Sequence, residues 1–202
     1  MRRRTLVVST AALLSVACTQ EPGRLPPRIT EVRLPLFTAA PHDNNISAHL
    51  SGDGENPVRE TQAQGQAILH IADDGTGDFK LIASNIDNVI MAHIHCGPAT
   101  VNGPIRVWFY PNIGTSGAPA ASGAGRHDGV LAEGAFPVAL GTLSCPAFAA
   151  TPTSPAIPAM SLLEAIHAGY AYVNVHTNDG VDGVNTGPGD FPGGEIRAQT
   201  AK

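Results

Sequence analysis

The fold the sequence predicts is all-β, a Greek-key-type β-sandwich or barrel of about eight strands with one short helix at about 161–168. Three observations predict it. From about residue 32 onward, short runs alternating apolar and polar residues are separated by turn residues at regular spacing. The chain holds 22 Gly and 17 Pro in 202 residues, which supplies many turns without the composition of a disordered chain. Only one stretch combines helical spacing with start and stop signals, and with 14% charged residues and no run of like charge the chain is no coiled coil.

In chain order the strand candidates are 45–51, 64–72, 78–84, 88–95, 104–110, 129–140, 170–177 and 194–200. The runs 65–72 and 78–84, joined by Asp73-Asp74-Gly75-Thr76-Gly77, form the clearest hairpin, because Asp and Gly supply the turn conformations that other residues resist. At the helix, Ser161 and Glu164 stand at capping-box spacing, Leu162, Ala165 and Ile166 share a face, and Gly169 stops it. So short a helix is expected to plug one end of the sandwich. Three stretches, 111–128, 145–159 and 178–193, read as long loops.

The first residues are read as targeting signal and not as fold. Arg2, Arg3 and Arg4 precede an apolar run from Leu6 to Ala17, too short for a bilayer span of about 20 residues, so 1–17 is read as a signal peptide. Leu14-Ser15-Val16-Ala17-Cys18 resembles a bacterial lipobox, with Ser15 where an aliphatic residue is usual; on that pattern Cys18 is lipidated, and plain cleavage nearby is the alternative. Arg3-Arg4-Thr5-Leu6-Val7 also carries a twin-arginine pattern, leaving the export route open. Residues 18–31, polar and Pro-rich, follow as anchor and tether, and 32–202 as one β domain. The chain is thereby expected to be exported and membrane-anchored in the bacterial cell envelope, on the periplasmic side or the surface.

Removing Arg2, Arg3 and Arg4 from the 12 Lys and Arg leaves nine against 17 Asp and Glu, a net charge of −8. That balance argues against a nucleic-acid partner and makes the lipid anchor, not the protein surface, the attachment to the membrane. With Cys18 lipidated, Cys96 and Cys145 remain, and an even pair in an oxidising compartment reads as a disulfide rather than two separate thiols.

Two strands carry histidines at strand spacing. Residues i and i+2 share a face, so His93 and His95 project together, and Tyr170, Tyr172, Asn174 and His176 line one face of a second strand whose Ala171, Val173 and Val175 face the core. The histidine face then lies outside the sheet or beneath a loop. Glu195 and Arg197 share a face of the last strand. Two readings stay open: a hydrogen-bond network tying loop backbones to the sheet, or a copper or zinc site with His93, His95 and His176 as ligands and Asn174, Glu195 and Arg197 around them. Asp179, Asp182 and Asp190 lack EF-hand spacing and read as a solvated loop. No nucleophile elbow, P-loop, C-x-x-C or H-E-x-x-H is present, which favours a non-catalytic protein and names no catalytic residue.

The segments Ala92-His93-Ile94-His95-Cys96-Gly97-Pro98, Asn102-Gly103-Pro104-Ile105, Ala168 through Thr177 and Gly193 through Gln199, with the opening Ile46 through Gly52 and Asn56-Pro57-Val58, resemble the CHRD (chordin) domain family. The resemblance spans about 45–200, four ordered motifs. It implies an extracellular or periplasmic β domain of the kind found in chordin and in bacterial lipoproteins, and no established reaction. The chain departs from the family in a long segment between Thr177 and Gly194 and in Ala198, where Gly is usual. A fainter similarity is to copper,zinc superoxide dismutases; it implies copper ligands at His93, His95 and His176 and an anion-guiding Arg197, though nothing between Gly97 and Pro104 matches the zinc loop. The expected function is therefore an envelope-anchored binding or structural module whose partner, protein or other ligand, docks on loops at one end of the sandwich. The alternative is a periplasmic copper- or zinc-binding protein.

Overall fold

A computed structural model describes residues 45–121, 123–152, 154–181 and 186–200. The segments read from sequence as signal peptide and tether, Cys18, residues 32–44 and Asp182 lie outside them. Among the described residues the strands are β1 (Asn45–Ser51), β2 (Gln64–Ile71), β3 (Gly77–Asp87), β4 (Val89–Cys96), β5 (Ile105–Tyr110), β6 (Arg126–Ala135), β7 (Ser144–Cys145), β8 (Met160–Ser161), β9 (Ala171–Thr177) and β10 (Ile196–Gln199). Eight of them form one antiparallel sheet in the order β5-β4-β9-β10-β1-β2-β3-β6, and β7 pairs with β8 separately. After the β1-β2-β3 meander the chain crosses over, so that β6 rather than β4 pairs with β3. The sheet curls until its end strands β5 and β6 approach each other, giving a nearly closed barrel.

Period-two patterning explains the curl. Ile46, Ala48 and Leu50 of β1 and Ala67, Leu69 and Ile71 of β2 are buried while most of their neighbours are not, so one face of each strand has to find an apolar interior. Phe79 of β3 stacks on Phe109 of β5 with ring centroids 3.8 Å apart, and Phe136 lies 5.8 Å from Phe79. These rings fill the seam where the ladder is open.

Two strands differ from expectation at their ends. β3 runs on to Asp87 because Asn85, in the left-handed region at φ 54°, makes a bulge: the buried positions shift from Phe79, Leu81 and Ala83 to Ile86, and pairing with β6 resumes beyond it. The Asn85 amide donates to Asp128 Oδ1, and Arg126 donates to both Asn85 and Asp128, which starts β6 at residue 126 rather than 129. β6 ends at Ala135 and not at 140, since Pro137 has no amide for the ladder.

The helix α1 (Leu162–His167) forms as its signals require. Ser161 Oγ accepts from the Glu164 amide at 3.2 Å, the Ser161 amide donates back to Glu164 at 2.8 Å, and Leu162, Ala165 and Ile166 are buried in the core. Cys145 of β7 bridges to Cys96 at the end of β4, with Cα atoms 5.5 Å apart. The disulfide thus ties the β7–β8–α1 excursion to the strand that carries His93 and His95.

Candidate metal centre

β4 and β9 are neighbours, with His93 opposite Asn174 and His95 opposite Tyr172. Ala92, Ile94, Cys96, Ala171, Val173 and Val175 point into the barrel, so His93, His95, Tyr172, Asn174 and His176 project from its outer face. That face is not open to solvent. Every residue of β9 is buried, because loops close over the histidines: His93 is 0% exposed, His95 7% and His176 6%.

The three imidazoles converge. Ring centroids are 5.3 Å apart for His93 and His95, 5.2 Å for His93 and His176, and 6.2 Å for His95 and His176. One ligand nitrogen from each lies within 4.8 Å of the other two. The outer nitrogens are taken: His95 Nδ1 donates to the Gly103 carbonyl at 2.8 Å and His176 Nδ1 to the Pro192 carbonyl at 2.9 Å. A carbonyl only accepts, so both rings carry the proton on Nδ1 and turn a bare Nε2 lone pair inward. Those two Nε2 atoms and both nitrogens of His93 are buried without a hydrogen-bond partner. A network tying loops to the sheet accounts for the outer nitrogens of His95 and His176 and leaves these four without partners, against the general rule that buried polar groups are paired.

Burial keeps the cluster neutral. It pushes His93 down to about 2, helped by the neighbouring His176 and His95. Burial likewise lowers His95 and His176 to about 4, opposed in each case by the bond to the Gly103 or Pro192 carbonyl. A cluster of neutral imidazoles with inward lone pairs can do one chemical thing well, which is to donate to a cation.

Three surrounding features hold the geometry. The Tyr172 ring stacks on His95 at 4.7 Å and 6°, the Arg197 guanidinium lies 3.4 Å from the Tyr172 centroid, and the Tyr172 hydroxyl accepts from the Gly103 amide. Gly103 has to be glycine: a side chain there would overlap the Cys96 carbonyl. Trp108 of β5, opposite His93 in register, packs edge-on against it at 4.1 Å and is covered in turn by Gly117, where a Cβ would fall 2.8 Å from the indole.

A family model, the CHRD domain, matches residues 46–200. The chain belongs to the CHRD family. No curated protein and no solved structure gives a significant match. Within this CHRD domain the residues expected around the histidines fall into place unevenly. Glu195 is buried beside β9, but its carboxylate accepts from Thr61, Thr177 and the Gly189 amide, so the Gly103 and Pro192 carbonyls, and not Glu195, hold the outer nitrogens of His95 and His176, while Asn174 lies beside His95. Arg197, 1% exposed, donates to Asn102, Gln199 and the carbonyls of Pro98 and Val101; it fastens the 97–103 loop and does not reach out to guide an anion. Glu195 and Arg197, on one face of the last strand, form no ion pair with each other among the described residues. Asp190 is also buried, accepting from Thr186, and is not part of a solvated loop.

Glu55 went unread. It is 6% exposed beside Asn174 and Arg197, and burial pushes its carboxyl up to about 7, with Arg197 opposing. Trp108 was equally unread, although its place could be found by counting back through the β4–β5 hairpin. The carbonyls of Gly103 and Pro192 have no side-chain signature to read.

Proposed function

We propose that this CHRD domain is a transition-metal-binding module, with His93, His95 and His176 as ligands to a single ion and copper held in preference to zinc. The family assignment fits a binding or structural module, and the metal reading says what is bound. One observation carries it: each of the three histidines has a buried ring nitrogen without a partner, and one ligand nitrogen from each lies within 4.8 Å of the others. The donor set fits the ion. Nitrogen ligands about 2.0–2.1 Å from a common centre stand about 3.5 Å apart, so small rotations of the three side chains complete the site. Three imidazoles suit copper and zinc, and the Irving–Williams order favours copper between the divalent ions. An exported chain anchored through Cys18 would carry this site in the cell envelope, and the arginines and apolar run ahead of that cysteine support such a placement.

The test is direct. Purified protein stripped with a chelator is titrated with zinc and with copper, both as Cu(II) and as Cu(I) kept reduced by ascorbate, and bound metal is measured after desalting. Close to one equivalent is expected, quenching the fluorescence of Trp108, the chain's single tryptophan. The His176→Ala variant should retain none. Wild-type protein that elutes metal-free, or a His176→Ala variant that still holds the ion, refutes the reading.

A further inference from the structure

Resting on that reading of the three histidines, we infer that the ion is monovalent copper, Cu(I), and that the site selects against divalent ions by charge and by coordination number. The ligands contribute no charge. His95 and His176 are fixed as neutral donors by the Gly103 and Pro192 carbonyls, and among the described residues no carboxylate or thiolate joins the cluster. The acidic groups nearby are engaged elsewhere: Glu195 by Thr61, Thr177 and Gly189, Asp190 by Thr186, and Glu55 by the Arg197 guanidinium, whose opposite charge offsets that of its carboxylate. The ion's own charge is therefore left uncompensated in a buried site.

Self-energy in a low-dielectric site grows with the square of the charge, so a divalent ion meets a penalty about four times that of a monovalent one. The Arg197 guanidinium, Tyr172 and His95 form a continuous stack, at 3.4 Å and then 4.7 Å, so the one charged group in line with a ligand is a cation and offers a bound ion no compensation.

Coordination number points the same way. Zn(II) takes four ligands, and Cu(II) favours a tetragonal set. Here three nitrogens are offered, and their surroundings are occupied: Trp108 against His93, Tyr172 against His95, and the Gly103 and Pro192 carbonyls already accepting. Exposures of 0%, 7% and 6% leave little access for water to complete a fourth or fifth position. Cu(I), with a filled d shell and no need for more than three donors, is satisfied by this set.

The experiment measures three affinities on the chelator-stripped, disulfide-intact protein. Cu(I) is supplied anaerobically with ascorbate, which leaves the Cys96–Cys145 bridge alone, and competed against bicinchoninate; Cu(II) and Zn(II) are competed against chelators of known affinity. Cu(I) should bind tighter than either dication by on the order of 100-fold or more. Cu(II) or Zn(II) binding as tightly as Cu(I) overturns the inference while leaving the metal reading in place. Failure of all three ions to bind refutes both.

Discussion

Replacing His93 by leucine should stabilise the metal-free protein and destabilise it relative to wild type once copper is present. His93 is fully buried with both ring nitrogens unpartnered. An unsatisfied buried polar atom costs about 1–3 kcal/mol, so removing a donor and an acceptor together returns about 2–6 kcal/mol. Against this stands the edge-on contact with Trp108, worth about 0.5–1.5 kcal/mol. The net gain is ~3 kcal/mol, which for a chain of this size raises Tm by about 6–12 °C. Copper at a thousandfold excess over Kd stabilises the wild-type protein by about 4 kcal/mol and the variant not at all, so the order of the two melting curves reverses. Thermal unfolding in chelator and then in copper, with the disulfide intact, reads both signs. A His93→Leu protein less stable than wild type in chelator would mean that the inner nitrogens are satisfied in the folded state, and the argument for a ligand set would fall.

Three other perturbations separate the parts of the structure. In chelator, stability should decline as pH falls below about 6.5: folded-state values of about 4 for His95 and His176 and about 2 for His93 lie below the ordinary one, so protons bind the unfolded chain first, at ~1.4 kcal/mol per pH unit for each imidazole. Denaturant midpoints that stay flat between pH 6.5 and 5 would contradict this. Gly103→Ala should lift the 97–103 loop off the Cys96 carbonyl, remove the acceptor from His95 Nδ1 and weaken metal binding about 10–100-fold, measured by chelator competition; unchanged affinity would show that the carbonyl does not orient the ring. Replacing Cys96 and Cys145 together by alanine should cost up to about 4 kcal/mol in guanidinium unfolding, since the bridge closes a loop of 49 residues, and a loss near zero would count against that entropy account.

The barrel was legible because its information is local. Alternation along 45–51, 64–72 and 170–177 names the buried face of each strand, and the Ser161–Glu164 box names the helix start. The ends of β3 and β6 were not legible, since the Asn85 bulge depends on Asp128 and Arg126, more than forty residues on. The site divides in the same way. His93, His95 and His176 could be placed on one outer face from strand period alone, and their convergence follows from the pairing of β4 with β9. What strand period could not give was the assignment of roles around them. Glu195 and Arg197 share the right face but find closer partners in Thr61, Thr177, Pro98 and Asn102, and the groups that orient the rings are peptide carbonyls, which every residue possesses.

The placement of β9 between β4 and β10 also governs when the site comes into being. His93 and His95 are synthesised early, His176 near the end, and the carbonyl that sets His176 comes later still, at Pro192. Such distant pairings close last and slowly, because the chain has to search a large volume before they form. A growing or truncated chain that stops short of β9 holds two imidazoles and no third. If the three histidines hold an ion as proposed, occupancy would act as a proofreading signal: only a molecule that had finished folding would capture it, and the captured ion would then hold the final strands against reopening.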